Sequence, residues 1–278
     1  LMSGIAPEQA LGHPPAHLWI ARKMLAEPRL GEPGWTERVA NHLFLAASDP
    51  EFATQAHHSL GDFHLARREP ERAIAHLEIA SRTRPELTLT LSRVYRAIGD
   101  SAKSQAAAEK AAEYYRQRCT VEPDRWQWGD RLAQSLVELQ RFSGAVSVLR
   151  SYVNTTDEGS VKEALANTYL AWFDYALENE ATNFGKQLEL LDRALAAGQK
   201  NPRSLTLLAD LAFGQWRDPR RMEAVLTVAL GRGVAPSLTH FTLGIQSLDR
   251  GDVDSAKQHL KIAHRKNPQV PEIGRAHV

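Results

Sequence analysis

A single cysteine among 278 residues, Cys119, leaves no partner for an intrachain disulfide and rules out any multi-cysteine metal site. Its position reads as a small residue late in a helix. Charge of one sign is lacking too. Lys and Arg number 34 against 33 for Asp and Glu, a net charge of +1, and the longest basic clusters are the doublets Arg67-Arg68 and Arg220-Arg221. Such a balance carries no electrostatic footprint for a phosphate backbone, so no nucleic-acid partner is expected. No run approaches the ~18 apolar residues of a membrane span. The first residues, Leu1 to Gly12, lack the basic region and apolar core of a secretory leader. The expectation therefore leans to a cytoplasmic protein, with an upstream signal or anchor left open. Motifs of catalysis are also missing: there is no metalloprotease helix, Walker loop or nucleophile elbow. Gly231-Arg232-Gly233 is only Gly-x-Gly and follows a helix, so a phosphate cradle is not expected there. What the chain does have is 43% hydrophobic and 24% charged residues, enough to bury a large core beneath a polar surface.

Two distant stretches obey one template. Leu60-Gly61, Ala73, Leu77, Ala80 and Pro85 recur as Leu243-Gly244, Ala256, Leu260, Ala263 and Pro268. The step from leucine to the first alanine is 13 residues in both, and from that alanine to proline 12. Small residues allow two helix backbones to approach closely, and the leucines give each helix an apolar stripe. Neither helix pair can bury its stripe alone, so neighbouring pairs must stack. Pro85 and Pro268 follow the second helix, where a missing N–H and a fixed φ stop it. The pattern resembles the tetratricopeptide repeat. The resemblance implies an all-α fold, a right-handed superhelical α-solenoid of antiparallel helix pairs.

The solenoid is expected over residues 14–270, in about six pairs, after a residual segment 1–13 and before a tail 271–278. The best repeats are 54–87 and 237–270. A divergent first pair is read at 16–26 and 36–47, with Thr36 as N-cap of the second helix. The glycines and prolines of 27–35 separate its two helices. After the first good repeat, Leu87 to Ile98 forms a short helix ending at Gly99-Asp100, followed by a long alanine-rich helix over 102–118. Then come 126–139 with 143–152, and a helix around Leu165-Ala166 and Tyr169 paired late with 186–197. Residues 171–184 either prolong that first helix or form a loop. The segments 203–216 and 219–230 match loosely; 237–248 and 253–265 match well. Residues 273–278, Ile-Gly-Arg-Ala-His-Val, resemble one translated frame of a common sequencing-library adapter, which implies a fragment open at both ends.

Candidate chemistry is thin. Pro14 and Pro15 interrupt the helical spacing of His13 and His17, which read as loop and cap. His57 and His58 are adjacent and point about 100° apart, His57 at a packing position and His58 at a groove position. Asp49 and Glu51 read as solvated capping acids. No catalytic residue, cofactor or metal site is expected, and the chain is read as non-enzymatic. The resemblance implies a protein-interaction scaffold that binds a peptide or partner protein in a concave groove lined by the first helix of each pair. Carrying the template across places Gln55, His58 and Asp62, Arg93 and Arg96, Gln127, Asp130 and Gln134, and Glu163 and Asn167 on that face. One co-chaperone subfamily uses Lys and Asn at two of these places to grip a terminal carboxylate. His58 and Asp62 stand there here, and Asp62 would repel such a group. The alternative is the interaction arm of a larger enzyme or membrane-anchored protein.

Overall fold

A computed structural model describes residues 13–27, 32–153, 158–180, 183–198, 219–233 and 236–268, and every regular element among them is helical. The chain divides into two units, residues 1–139 and 140–278. In the first lie α1 (Pro14–Ala26), α2 (Trp35–Ala47), α3 (Pro50–Ala66), α4 (Pro70–Ser81), a 3-10 turn (Pro85–Leu87), α5 (Thr88–Ala97), α6 (Ser101–Val121) and α7 (Trp126–Glu138). In the second lie α8 (Phe142–Arg150), α9 (Glu158–Asn179), α10 (Phe184–Ala197), α11 (Pro219–Gly231), α12 (Pro236–Asp249) and α13 (Val253–Lys266). The helix expected over 203–216 and the adapter-like residues 273–278 lie outside the described residues.

Local chemistry sets the helix starts. Prolines occupy the first helical position of α1, α3 and α4, where the missing N–H costs nothing. Asp49 accepts a hydrogen bond from the Glu51 N–H at 2.8 Å to cap α3. Asp100, Asn183 and Asp252 cap α6, α10 and α13 in the same way, at 3.0, 3.2 and 3.1 Å. A side-chain cap of this kind contributes ~1 kcal/mol. Gly99 and Gly251, with φ of 82° and 78°, supply the left-handed residue that turns α5 into α6 and α12 into α13. The equivalent place between α3 and α4 holds Arg68 at φ 59°.

Close crossing of paired helices rests on two glycines. A Cβ on Gly61 would lie 2.6 Å from Cγ of Leu77, and one on Gly244 would lie 2.7 Å from Cγ of Leu260. The second helix therefore approaches through a leucine laid across the glycine. Ala73, Ala80, Ala256 and Ala263 flank that contact and are fully buried. In the first unit, Leu18, Val39, Leu43, Leu60 and Phe63 form one core across α1, α2 and α3. A second core joins Ala73 and Leu77 of α4 to Leu91, Val94 and Tyr95 of α5 and Ala107 of α6. Leu60 thus faces the preceding pair and Leu77 the following one, as stacking of neighbouring hairpins requires. In the second unit Leu226 of α11 meets Leu243 of α12.

Two local expectations change, and one left open between two alternatives is decided. Helix α2 begins at Trp35 behind Gly34, whose φ of 71° makes the turn, so Thr36 is already inside the helix and does not cap it. Its hydroxyl instead accepts a hydrogen bond from Arg67 at 3.2 Å. His17 is no loop or cap residue: Pro14 and Pro15 start α1 instead of breaking it, and His17 is 1% exposed in that helix. Residues 171–179 prolong α9, which runs 22 residues. The helix after Pro85 is short, ten residues preceded by one 3-10 turn.

Candidate functional site

Helical periodicity places Gln55, His58 and Asp62 in one stripe of α3, and Gln127, Asp130 and Gln134 in one stripe of α7, since steps of three and four residues stay on one face. The structure joins the α7 stripe to α5. Arg93 donates through Nε to Glu138 at 3.1 Å and through Nη2 to Gln134 at 2.8 Å. Arg96 brings Nη1 within 2.7 Å of the other Glu138 oxygen, and Gln134 donates to Asp130 at 2.6 Å. The side chain of Glu138 is only 5% exposed, so the two guanidiniums cover a nearly buried carboxylate. Such a carboxylate is tolerable only because it is paired. Gln127 stands exposed at the start of this stripe.

A second cluster forms around α3. Arg84, between α4 and the 3-10 turn, donates through Nε to Glu86 at 2.9 Å, and its Nη1 lies 2.9 Å from Nδ1 of His58. A guanidinium cannot accept a hydrogen bond, so His58 Nδ1 must offer its lone pair and carry its proton on Nε2. That nitrogen is 3.4 Å from Asp62. Gln55 accepts from Arg22 of α1 at 3.2 Å. Beside these residues is a cavity of ≈ 400 Å³ lined by Arg22, Glu51, Thr54, Gln55, Thr83 and Arg84, with the two threonine hydroxyls 2.8 Å apart.

Seven residues on the anticipated face of the first unit thus fall into two polar clusters, with Gln127 beside them. Glu163 and Asn167 are exposed on α9 of the second unit, a helix whose other face buries Leu165, Ala166, Tyr169 and Phe173. Sequence reasoning missed Arg22, Arg84 and Glu138. Glu138 had a signal, lying four residues beyond Gln134 in the same stripe. Arg84 had none, because it lies outside any helix.

Histidines form a third arrangement. Nδ1 of His17 is 2.8 Å from Nδ1 of His42 between α1 and α2. His57 and His76 repeat the contact at 3.0 Å between α3 and α4, and His240 and His259 at 2.9 Å between α12 and α13. These separations suit a proton shared as N–H···N. Two imidazoles on one tetrahedral zinc, with bonds of ~2.0–2.1 Å, would hold their nitrogens about 3.3 Å apart. Among the described residues no group of three or more His, Cys, Asp or Glu is placed to hold a metal ion. Burial, the charge of His17 and that of Arg38 push His42 below the ordinary imidazole range, and burial alone does so for His57. His76 is lowered to about 4, by burial first and then by the charges of His57 and His64. No described helix is long and apolar enough to cross a membrane, and Gly231 ends α11 while Arg232 is held by Asp192 at 2.8 and 2.7 Å.

No family model matches the chain, and no curated protein matches it. Among solved structures it is similar to a tetratricopeptide repeat protein from Parabacteroides merdae, at 10% identity and a TM-score of 0.47, over 95% of this chain and 97% of that one. It is also similar to PilW, described as a widely conserved type IV pilus biogenesis factor, at 15% identity and a TM-score of 0.40, over 81% and 99%. A third likeness is to Pseudomonas aeruginosa PilF, at 17% identity and a TM-score of 0.37, over 80% and 96%. Likenesses of this order say nothing of what the present chain binds.

Proposed function

We propose that the chain is a non-catalytic scaffold that binds an extended or helical segment of a partner protein along the first-helix face of its N-terminal unit. One observation carries this reading. Helices α3, α5 and α7 bring Gln55, His58, Asp62, Arg93, Arg96, Asp130 and Gln134 to the surface as hydrogen-bonded polar clusters of mixed sign. Packing alone asks only for solvated side chains at such places. Prearranged donors and acceptors on rigid helices are what recognition of a peptide needs, because little side-chain freedom is lost on binding.

The test is a pull-down with the complete gene product, followed by titration of the recovered partner against two variants. Gln127→Ala, at an exposed residue of the face, is expected to weaken binding while leaving the melting temperature unchanged. Lys110→Ala, exposed on α6, is expected to change neither. Equal affinities for the two variants and the parent would place the partner elsewhere.

A further inference from the structure

The cavity beside α3 holds two cations and one acid. Arg22 comes from α1, Arg84 from the turn after α4, and the carboxylate is that of Glu51, exposed at the start of α3. Each guanidinium is fixed by neutral or local partners and retains unused donors. Arg84 spends Nε on Glu86 and Nη1 on His58, which leaves Nη2. Arg22 spends Nη2 on Gln55 and pairs with no acid among the described residues. Thr54 and Thr83, paired with each other at 2.8 Å, add two hydroxyls to the same wall; their mutual bond uses one proton, and Thr83 also lies 3.3 Å from the Ala80 carbonyl, so at most one proton is left for a ligand.

Glu86 already answers the charge of Arg84 at 2.9 Å, whereas Arg22 is held by the neutral Gln55, so an anion in the cavity would gain chiefly from Arg22 and from the unused Nη2 of Arg84. A planar guanidinium offers paired N–H groups that match the oxygens of a carboxylate or phosphate. Here Glu86, His58 and Gln55 have already oriented the forks. The lining is mostly polar, which disfavours an apolar side chain as occupant. His58 and Asp62, the places at which a terminal carboxylate would be held in the co-chaperone manner, do not line this cavity, although Arg84 reaches His58 at 2.9 Å.

We infer that the cavity between α1, α3 and the turn after α4 is an oxyanion subsite of the scaffold, in which Arg22 and Arg84 clamp an acidic or phosphorylated side chain of the bound partner. The inference rests on the proposed peptide-binding role, and it specifies what one part of that peptide must carry. With Thr83 donating to Thr54, the single remaining threonine proton, on Thr54, donates to an oxygen left over, and Glu51 sets which side of the cavity the anion can occupy.

The experiment uses the full chain with inorganic phosphate and acetate as separate probes, read by the side-chain Nε–H signals of arginine in ¹⁵N-labelled protein. Phosphate is expected to shift Arg22 and Arg84 saturably while Arg116 and Arg193, on α6 and α10, stay still. Arg22→Gln is expected to weaken phosphate about tenfold, the equivalent of one charge-assisted hydrogen bond. Arg22 is exposed and makes a single side-chain contact, so this variant is expected to fold; Arg84→Gln serves as the second. Phosphate binding well above acetate points to a phosphorylated residue, and comparable binding to an acidic one. Uniform small shifts across all arginines, or phosphate binding unchanged in both variants, would overturn the subsite. That result would leave the Gln127 titration untouched, so the two readings fail separately.

Discussion

Hairpins α3–α4 and α12–α13 are built on one frame and present different faces. At the close crossing they agree: Leu60 and Leu243, Gly61 and Gly244, Ala73 and Ala256, Leu77 and Leu260, even the histidine contacts His57–His76 and His240–His259. Outside, Gln55, His58 and Asp62 of α3 give way to Leu238, Phe241 and Ile245 of α12. Interior positions answer to the geometry of stacking, which both hairpins share. The first-helix face answers to whatever meets it. A repeat with a fixed interior can therefore carry a polar surface in one unit and an apolar one in the other, so resemblance between frames predicts nothing about ligands.

The largest test of the shared frame is at its closest crossing. Leu77→Ala and Leu260→Ala are each expected to cost ~2–5 kcal/mol in urea unfolding, because each empties a fully packed position. Gly61→Ala and Gly244→Ala are expected to cost ~1–3 kcal/mol by overpacking. In both places the added Cβ would clash with the side chain of the crossing leucine, at 2.6 Å for Gly61 and 2.7 Å for Gly244, so the two costs should be similar. Pairing Gly61→Ala with Leu77→Ala is expected to cost less than the sum of the two, because the small side chain at 77 removes the obstruction. Strict additivity would mean that Leu77 does not rest on Gly61.

A smaller effect separates the turns. Arg68 and Gly251 occupy equivalent left-handed positions, at φ 59° and 78°. An L-residue there costs roughly 1–2 kcal/mol that glycine avoids. Arg68→Gly is expected to stabilise the first unit by up to about that amount, and Gly251→Arg to destabilise the second by as much. Thermal melts of the two variants check this; the same sign at both sites would break the equivalence of the turns.

What could be read from the sequence follows the same division. Gly61, Ala73, Leu77 and Pro85 were legible because close packing forces small and large residues to fixed intervals within one hairpin. The stripes of α3 and α7 were legible because a helix repeats every 3.6 residues. Contacts between successive pairs were not. Arg93 meets Glu138 across 45 residues and Arg84 meets His58 across 26, through long side chains whose direction depends on how neighbouring helices stack. The burial of His17 against His42 was hidden for another reason. Two prolines that look like an interruption occupy the first turn of α1, where they are well tolerated.

The smallest expected difference lies in acid. In α3–α4, His76 faces His57 and His64 from α3 and the Phe44 ring from α2, and its pKa of about 4 stands below the ordinary 6.5. In α12–α13 the counterpart of His64 is Ser247, whose hydroxyl donates to the Leu243 carbonyl at 2.9 Å. His240 is lowered there by burial, with smaller contributions from His259 and Lys266. A group depressed on folding stabilises the native state fully above its unfolded pKa, and that stability is lost as pH falls toward the folded value. For His76 the window runs from 6.5 down to about 4. Protonation also places a second N–H in the short His57–His76 contact, which only one proton can bridge. Lowering the pH from about 7 to about 5, across the ordinary histidine range, is expected to lower the melting temperature of the parent. His76→Gln removes the titrating group and should shrink that drop more than His259→Gln does. Equal shrinkage would show that the third histidine of α3–α4 adds nothing to the acid response, and that the two hairpins are equivalent in this respect as well.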